Sequence, residues 1–178
     1  MNAGNHWFKA LILNMHAATY LKQLSRYNIN FELWYQNTQT ILKSIFGINS
    51  VEYQRFTRIQ FCSKNGNAEP ALYRNIYVKG LEESIDFCRD CVQCLSDEET
   101  SFDLFANAKE CINAASLSDM EKEKIINRLK SMTEALMYPS NSLNSWQQEL
   151  QQNKIVHLLN KLVCLHTMKS TITGQEGL

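Results

Sequence analysis

Proline and glycine are scarce in this chain: two prolines, Pro70 and Pro139, and six glycines among 178 residues. Both prolines fall in polar stretches, "CSKNGNAEP" at 62–70 and "YPSNS" at 138–142, and such clusters read as loops. Period-two alternation is nearly missing, which argues against a sheet. The one stretch that resembles a short strand, "TRIQFCS" at 57–63, has nothing obvious to pair with. No uninterrupted apolar run reaches the length of a membrane span. The run from Trp7 to Met15 is broken by Lys9 and Asn14, and no small-residue cleavage site follows. No secretory leader and no membrane partner are therefore expected.

Net charge is missing as well, since 18 basic side chains meet 18 acidic ones. No global field draws the chain to nucleic acid or to an acidic membrane. The charge is nonetheless uneven. Residues 1–60 carry Lys9, Lys22, Arg26, Lys43, Arg55 and Arg58 against Glu32 and Glu52, while Asp97, Glu98 and Glu99 form the densest acidic run. Such patches are either solvated faces or complementary surfaces that orient copies of the chain or a partner. The six cysteines show no pairing pattern, and a chain of this length builds a core without staples. A reducing, cytoplasmic setting is expected, with thiols packed as small hydrophobes.

What remains is helix almost throughout. Residues 5–26 begin with a segment apolar on nearly every face, which must be buried in the centre or against another subunit. The next helix is expected to start near Asn30 as N-cap, with Gly47 ending it and Ser50 capping a short successor. Leu81, Ile85, Cys88, Val92 and Leu95 then mark one stripe of a long amphipathic helix. Gly80 within it permits close approach of a neighbouring helix or is neutral. After a shorter helix, Ser118 with Glu121 reads as a capping box, and Ser145 with Gln148 repeats the pattern before the last helix. The expectation is an all-α domain over residues 1–178, an irregular bundle of about six or seven helices, with a loose tail from 171 to 178.

Chemistry is thin. "FCRDCVQCL" at 87–95 spaces Cys88, Cys91 and Cys94 three apart. On a helix these sulfurs spiral from the apolar stripe toward the polar side and do not converge, so packing is expected and no metal. His6, His16, His157 and His166 are scattered, and no His-Glu-x-x-His run occurs. The Arg–His pairing of small helical ribonucleases of the HEPN type has no counterpart. Neither a nucleophile elbow nor a Walker loop is present. Glu82, Glu83, Asp86 and Asp90 fall opposite the apolar stripe and read as a solvated face. No catalytic residue and no cofactor is assigned.

Two kinds of contact surface are left. Trp7, Phe8, Leu11, Ile12 and Met15, with Trp34 and Tyr35, supply more apolar surface than a small bundle obviously needs. They are core, or an anchor for a protein partner or a second copy; Trp7, Phe8, Leu11 and Trp34 are the candidate contact residues. Separately, Arg55, Arg58 and Lys64 interleave with Tyr53, Phe56 and Phe61, a pattern suited to stacking and phosphate contact with nucleic acid.

One resemblance adds to this. "FELWYQNTQTILKSIFGINSVEYQRFTRIQF" at 31–61 and "YVKGLEESIDFC" at 77–88 resemble a helical module often attached to bacterial proteins of antiviral defence and mobile elements. The matching positions are Trp34, Leu42, Phe46, Gly47, Ser50, Tyr53, Phe56, Tyr77, Gly80 and Leu81, within a module bounded at 31–96. The resemblance implies an accessory role beside an effector, in assembly or sensing, and carries over no catalytic residue. This chain departs from the pattern in having no effector domain of its own. The leading expectation is a non-enzymatic interaction subunit of a bacterial complex in antiphage defence. The alternatives are a small helical nucleic-acid-binding protein and an enzyme whose site is assembled from scattered residues.

Overall fold

The computed structural model describes residues 3–63, 69–95, 101–137 and 144–173, with side chains placed over 7–63, 69–94, 101–137 and 144–167. Among the described residues the chain is all-α, with seven helices and no strand. These are α1 (Ala3–Leu21), α2 (Ile29–Phe46), α3 (Val51–Thr57), α4 (Pro70–Leu95), α5 (Leu104–Ala114), α6 (Asp119–Met137) and α7 (Ser145–Thr173).

The all-round apolar character of α1 makes it the axis of an irregular bundle. Ala10, Leu11, Ile12, Leu13, Ala17, Ala18 and Leu21 are fully buried, and α1 packs against α2, α4, α5 and α7. Helix α6, the most polar, packs only against α5 and α7 among the described helices. It buries little beyond Leu129, Met132 and Thr133. This outer position leaves a furrow between α6 and α7. Among the described residues, no helix is long and apolar enough to cross a membrane.

Helix ends follow local chemistry, with small shifts from expectation. The N-cap of α2 is Asn28, not Asn30, and its side chain accepts from the Asn30 amide at 2.9 Å. Asn30 is instead buried in the first turn. Ser50 caps α3 as expected, accepting from Tyr53 N at 3.0 Å. Gly47 after α2 adopts φ 87° and ψ 156°, a region essentially reserved for glycine. Ser118 and Glu121 close their capping box before α6. At α7 the box is one residue earlier than expected: Asn144 N donates to Gln147 Oε1 at 3.0 Å and Gln147 N donates to Asn144 Oδ1 at 2.9 Å. Residues 171–173, expected as loose tail, are the last turn of α7; 174–178, like Pro139, lie outside the described residues.

The stretch read as a possible strand is the end of α3 and an irregular segment whose Ile59 and Phe61 turn into the core. It crosses α4 at Gly80. A Cβ there would stand 2.4 Å from the Gln60 carbonyl oxygen and 2.8 Å from Phe61 Cδ1. Gly80 therefore admits a close approach, but of irregular backbone and not of a helix. Phe61 meets Phe31 at 5.2 Å and Trp34 at 5.9 Å between ring centroids. Phe56 meets Trp34 at 6.2 Å and Tyr35 at 5.4 Å. These rings join the residues that precede Gly47 to those that follow it.

Candidate partner-binding groove

The structure corrects the expected contact surface. Leu11 and Trp34 are closed inside the chain's own core, because α1 is its central helix and α2 covers it. They offer nothing to a partner. Trp7 and Phe8 are half-buried, and Trp7 packs against the core. The apolar surface of the first helix from Ala10 to Leu13 is thus used internally.

The basic–aromatic interleaving is separated too. Arg55 and Arg58 are exposed, and the Arg55 guanidinium sits 5.2 Å from the centroid of the Phe87 ring. Phe56 and Phe61, which would stack on bases, are buried in the aromatic cluster. Lys64 lies outside the described residues. Among the described residues, Phe56 and Phe61 therefore offer these arginines no stacking platform.

Of the three clustered cysteines, two are packing groups. Cys88 and Cys91 are buried and Cys94 is exposed, so the sulfurs spiral around α4. Burial pushes the Cys88 thiol far up, with the neighbouring Cys91 adding to it. Burial, helped by Glu52 and Asp90, raises Cys91 to about 12. Burial likewise raises Cys111 to about 12. Thiols held protonated in this way are poor nucleophiles and poor metal ligands. Among the described residues no group of three potential ligands converges. Glu82, Glu83, Asp86 and Asp90 are exposed along α4; Glu82 meets Lys22 at 3.2 Å and Asp86 meets Arg89 at 2.8 Å.

The furrow between α6 and α7 has more to offer. It encloses about 570 Å³ and is also bordered by the start of α2. Ile125, Leu158, Leu162 and Leu165 supply its alkyl lining, and Lys124, Arg128, Lys154 and Lys161 its charge, with the His157 ring between the last two. The sequence dictates this division. Lys124 and Arg128 are four apart on α6, while Lys154, His157 and Lys161 follow three-then-four spacing on α7, so each set shares a face. Among the described residues no carboxylate lines the furrow. The four cations form no ion pair among the described residues, whereas Lys122, also on α6, pairs with Asp119 at 3.8 Å.

Buried amides fix the wall. Asn160 Nδ2 donates to Asn30 O at 2.9 Å, Asn30 Nδ2 donates to Asn153 Oδ1, and Asn37 Nδ2 donates to Asn160 O at 3.4 Å. This ladder ties α2 to α7 and sets which face of α7 is left for α6 and the groove. Sequence reading did not single out these cations. Their signal was the helical spacing of like charges without acidic residues between them, which the neutral total conceals.

In comparisons with known proteins, no family model, no curated protein and no solved structure matches the chain.

Proposed function

We propose that the chain is a non-enzymatic interaction and assembly subunit of a bacterial multi-protein complex, placed in antiphage defence by the resemblance of residues 31–61 and 77–88. The observation that carries the interaction reading is the α6–α7 groove, where an alkyl floor is flanked by four exposed cations that have no partner among the described residues. Its lining is cations, amides, alkyl groups and the His157 imidazole, a set suited to holding a partner. Trp146 and Ile29 add exposed apolar area near it, and Trp is a common anchor in protein interfaces.

The test is light scattering coupled to gel filtration, on the chain alone and co-expressed with its genomic neighbours. Co-elution in a defined complex supports the reading. A monomer under both conditions, with the complex's activity unchanged in its absence, overturns it. A nucleic-acid reading draws on the same exposed cations and predicts a strongly salt-dependent shift with RNA or DNA. The alkyl floor disfavours it, since a phosphate backbone would leave those side chains unfilled.

A further inference from the structure

Resting on the interaction reading, we propose that the groove receives an acidic amphipathic helix of a partner protein. Its apolar stripe would lie on the alkyl floor and its carboxylates on the flanking cations.

The exposed face of α7 sets the length and character of the occupant. Trp146, Leu150, Lys154, His157 and Lys161 fall within an arc of about 80°, at roughly 100° per residue. They extend over about 22 Å, at roughly 1.5 Å per residue. The face is divided: Trp146 is 65% exposed and Leu150 36%, and the basic residues follow. On the opposite side of the furrow stand Lys124 and Arg128 from α6. A furrow with an apolar floor and cationic edges, continued one turn beyond its lining by Trp146, is the surface on which an amphipathic helix lies. A compact small molecule would leave the Trp146 end uncovered.

Charge complementarity selects the sign. The groove lining holds four cations and, among the described residues, no acid to offset them. A partner bearing carboxylates on both flanks of an apolar stripe relieves that repulsion and gains paired contacts. A second copy of the chain fits less well. Its acidic face on α4, with Glu82, Glu83, Asp86 and Asp90, exposes no large apolar side chain between Lys79 and Cys94 to fill the floor. The occupant we assign is an external partner, and self-association of the chain alone in light scattering overturns that assignment.

The probe is a synthetic helical peptide with leucines at heptad spacing flanked by glutamates, set against a lysine counterpart of the same pattern. Binding is read by fluorescence anisotropy to the wild type, to the Lys154→Glu/Lys161→Glu variant and to the Trp146→Ala/Leu150→Ala variant. These side chains are exposed, so both variants should fold, and circular dichroism checks that they do. The acidic peptide should bind the wild type, weaken as salt rises, and lose about tenfold or more in affinity on either variant. The lysine peptide should bind the Lys154→Glu/Lys161→Glu variant better than the wild type, a reversal that misfolding does not produce. Equal binding of the acidic and lysine peptides to the wild type overturns the proposal. So does tighter binding of single-stranded RNA or of anionic vesicles than of the acidic peptide. Co-expression separates the two levels. If the Lys154→Glu/Lys161→Glu chain still co-elutes with a partner, the groove is not the site although the interaction reading stands. If the wild type assembles with nothing, the interaction reading itself fails.

Discussion

The indole Nε1 of Trp34 donates to the main-chain carbonyl of Asn14 at 2.9 Å, across the contact between α1 and α2. Asn14 answers with its own amide, which donates to Thr38 Oγ1 at 2.8 Å and, more weakly, toward Trp34 O at 3.4 Å. All three residues are buried. Set among the alkyl and aromatic groups where α1 meets α2, this triangle admits one register of α2 on α1. A slip would strand the Trp34 indole N–H and the Asn14 amide, each costing about 1–3 kcal/mol when buried without a partner, while Thr38 keeps its own bond to the Trp34 carbonyl.

Trp34 is therefore expected to act on stability. Trp34→Phe keeps most of the ring volume and removes the donor, at a loss of about 1 kcal/mol. Trp34→Ala opens a cavity and should cost about 3–5 kcal/mol. Urea denaturation followed by circular dichroism reads both. An unchanged midpoint for Trp34→Ala, together with lost partner capture, would return Trp34 to the interface.

Gly80 lies in the middle of α4, where alanine normally gains about 1 kcal/mol of helix propensity. Here a Cβ would meet a backbone carbonyl at 2.4 Å, and backbone yields less readily than a side-chain tip. Overpacking of this kind costs about 1–3 kcal/mol, so Gly80→Ala is expected to be destabilising. Thermal melts of the variant settle the sign; a raised Tm would show that residues 60–61 move away freely.

The helices were legible because each carries its own period, stop signals and caps. Leu81, Cys88 and Val92 on α4, and Ile155, Leu159, Leu162 and His166 on α7, are buried on the faces the spacing marked. Caps were legible to within one or two residues, since Asn28 and Asn30 are chemically equivalent capping candidates and local sequence alone does not rank them. The contact surface was not legible. Hydrophobicity marks what is buried but not against which surface, so Leu11 and Trp34 read alike as core or interface until α2, α4, α5 and α7 are wrapped around α1. The groove was hidden for the complementary reason. Its two pairs of cations lie on different helices, with 26 positions between Arg128 and Lys154, and only the outer position of α6 brings Arg128 and Lys161 to one furrow.

The cysteines give a chemical map of that core. A thiol reagent at pH 8 is expected to modify Cys62 and Cys94 first, as both are exposed, and half-buried Cys164 more slowly. Cys88, Cys91 and Cys111 should react only as fast as the protein opens, since burial keeps each thiol protonated. Mass spectrometry of alkylated peptides over time resolves the six sites. Protection of Cys94 together with Cys88 and Cys91, lifted by a chelator, would instead reveal a metal site on α4.

His16 gives the fold a pH dependence of known sign. Its ring is partly buried, and Nε2 donates to the Phe102 carbonyl at 2.8 Å, joining α1 to the residue just before the Asp103 cap of α5. Burial lowers its pKa below the ordinary 6.5, an effect only partly opposed by the Phe102 carbonyl and the Asp103 charge. The unfolded chain therefore takes up a proton here at a higher pH than the folded chain does. The contribution of this site is full above pH 6.5 and is lost as pH falls through that value toward the lower folded pKa. His16→Gln retains an N–H donor and removes the titration. Between pH 7.5 and pH 5.5 the wild type is expected to lose more of its urea midpoint than the variant, even if the variant starts lower. Parallel losses in the two proteins would mean that the folded ring is protonated as readily as the unfolded one, with its contact to Phe102 then carrying a charged donor.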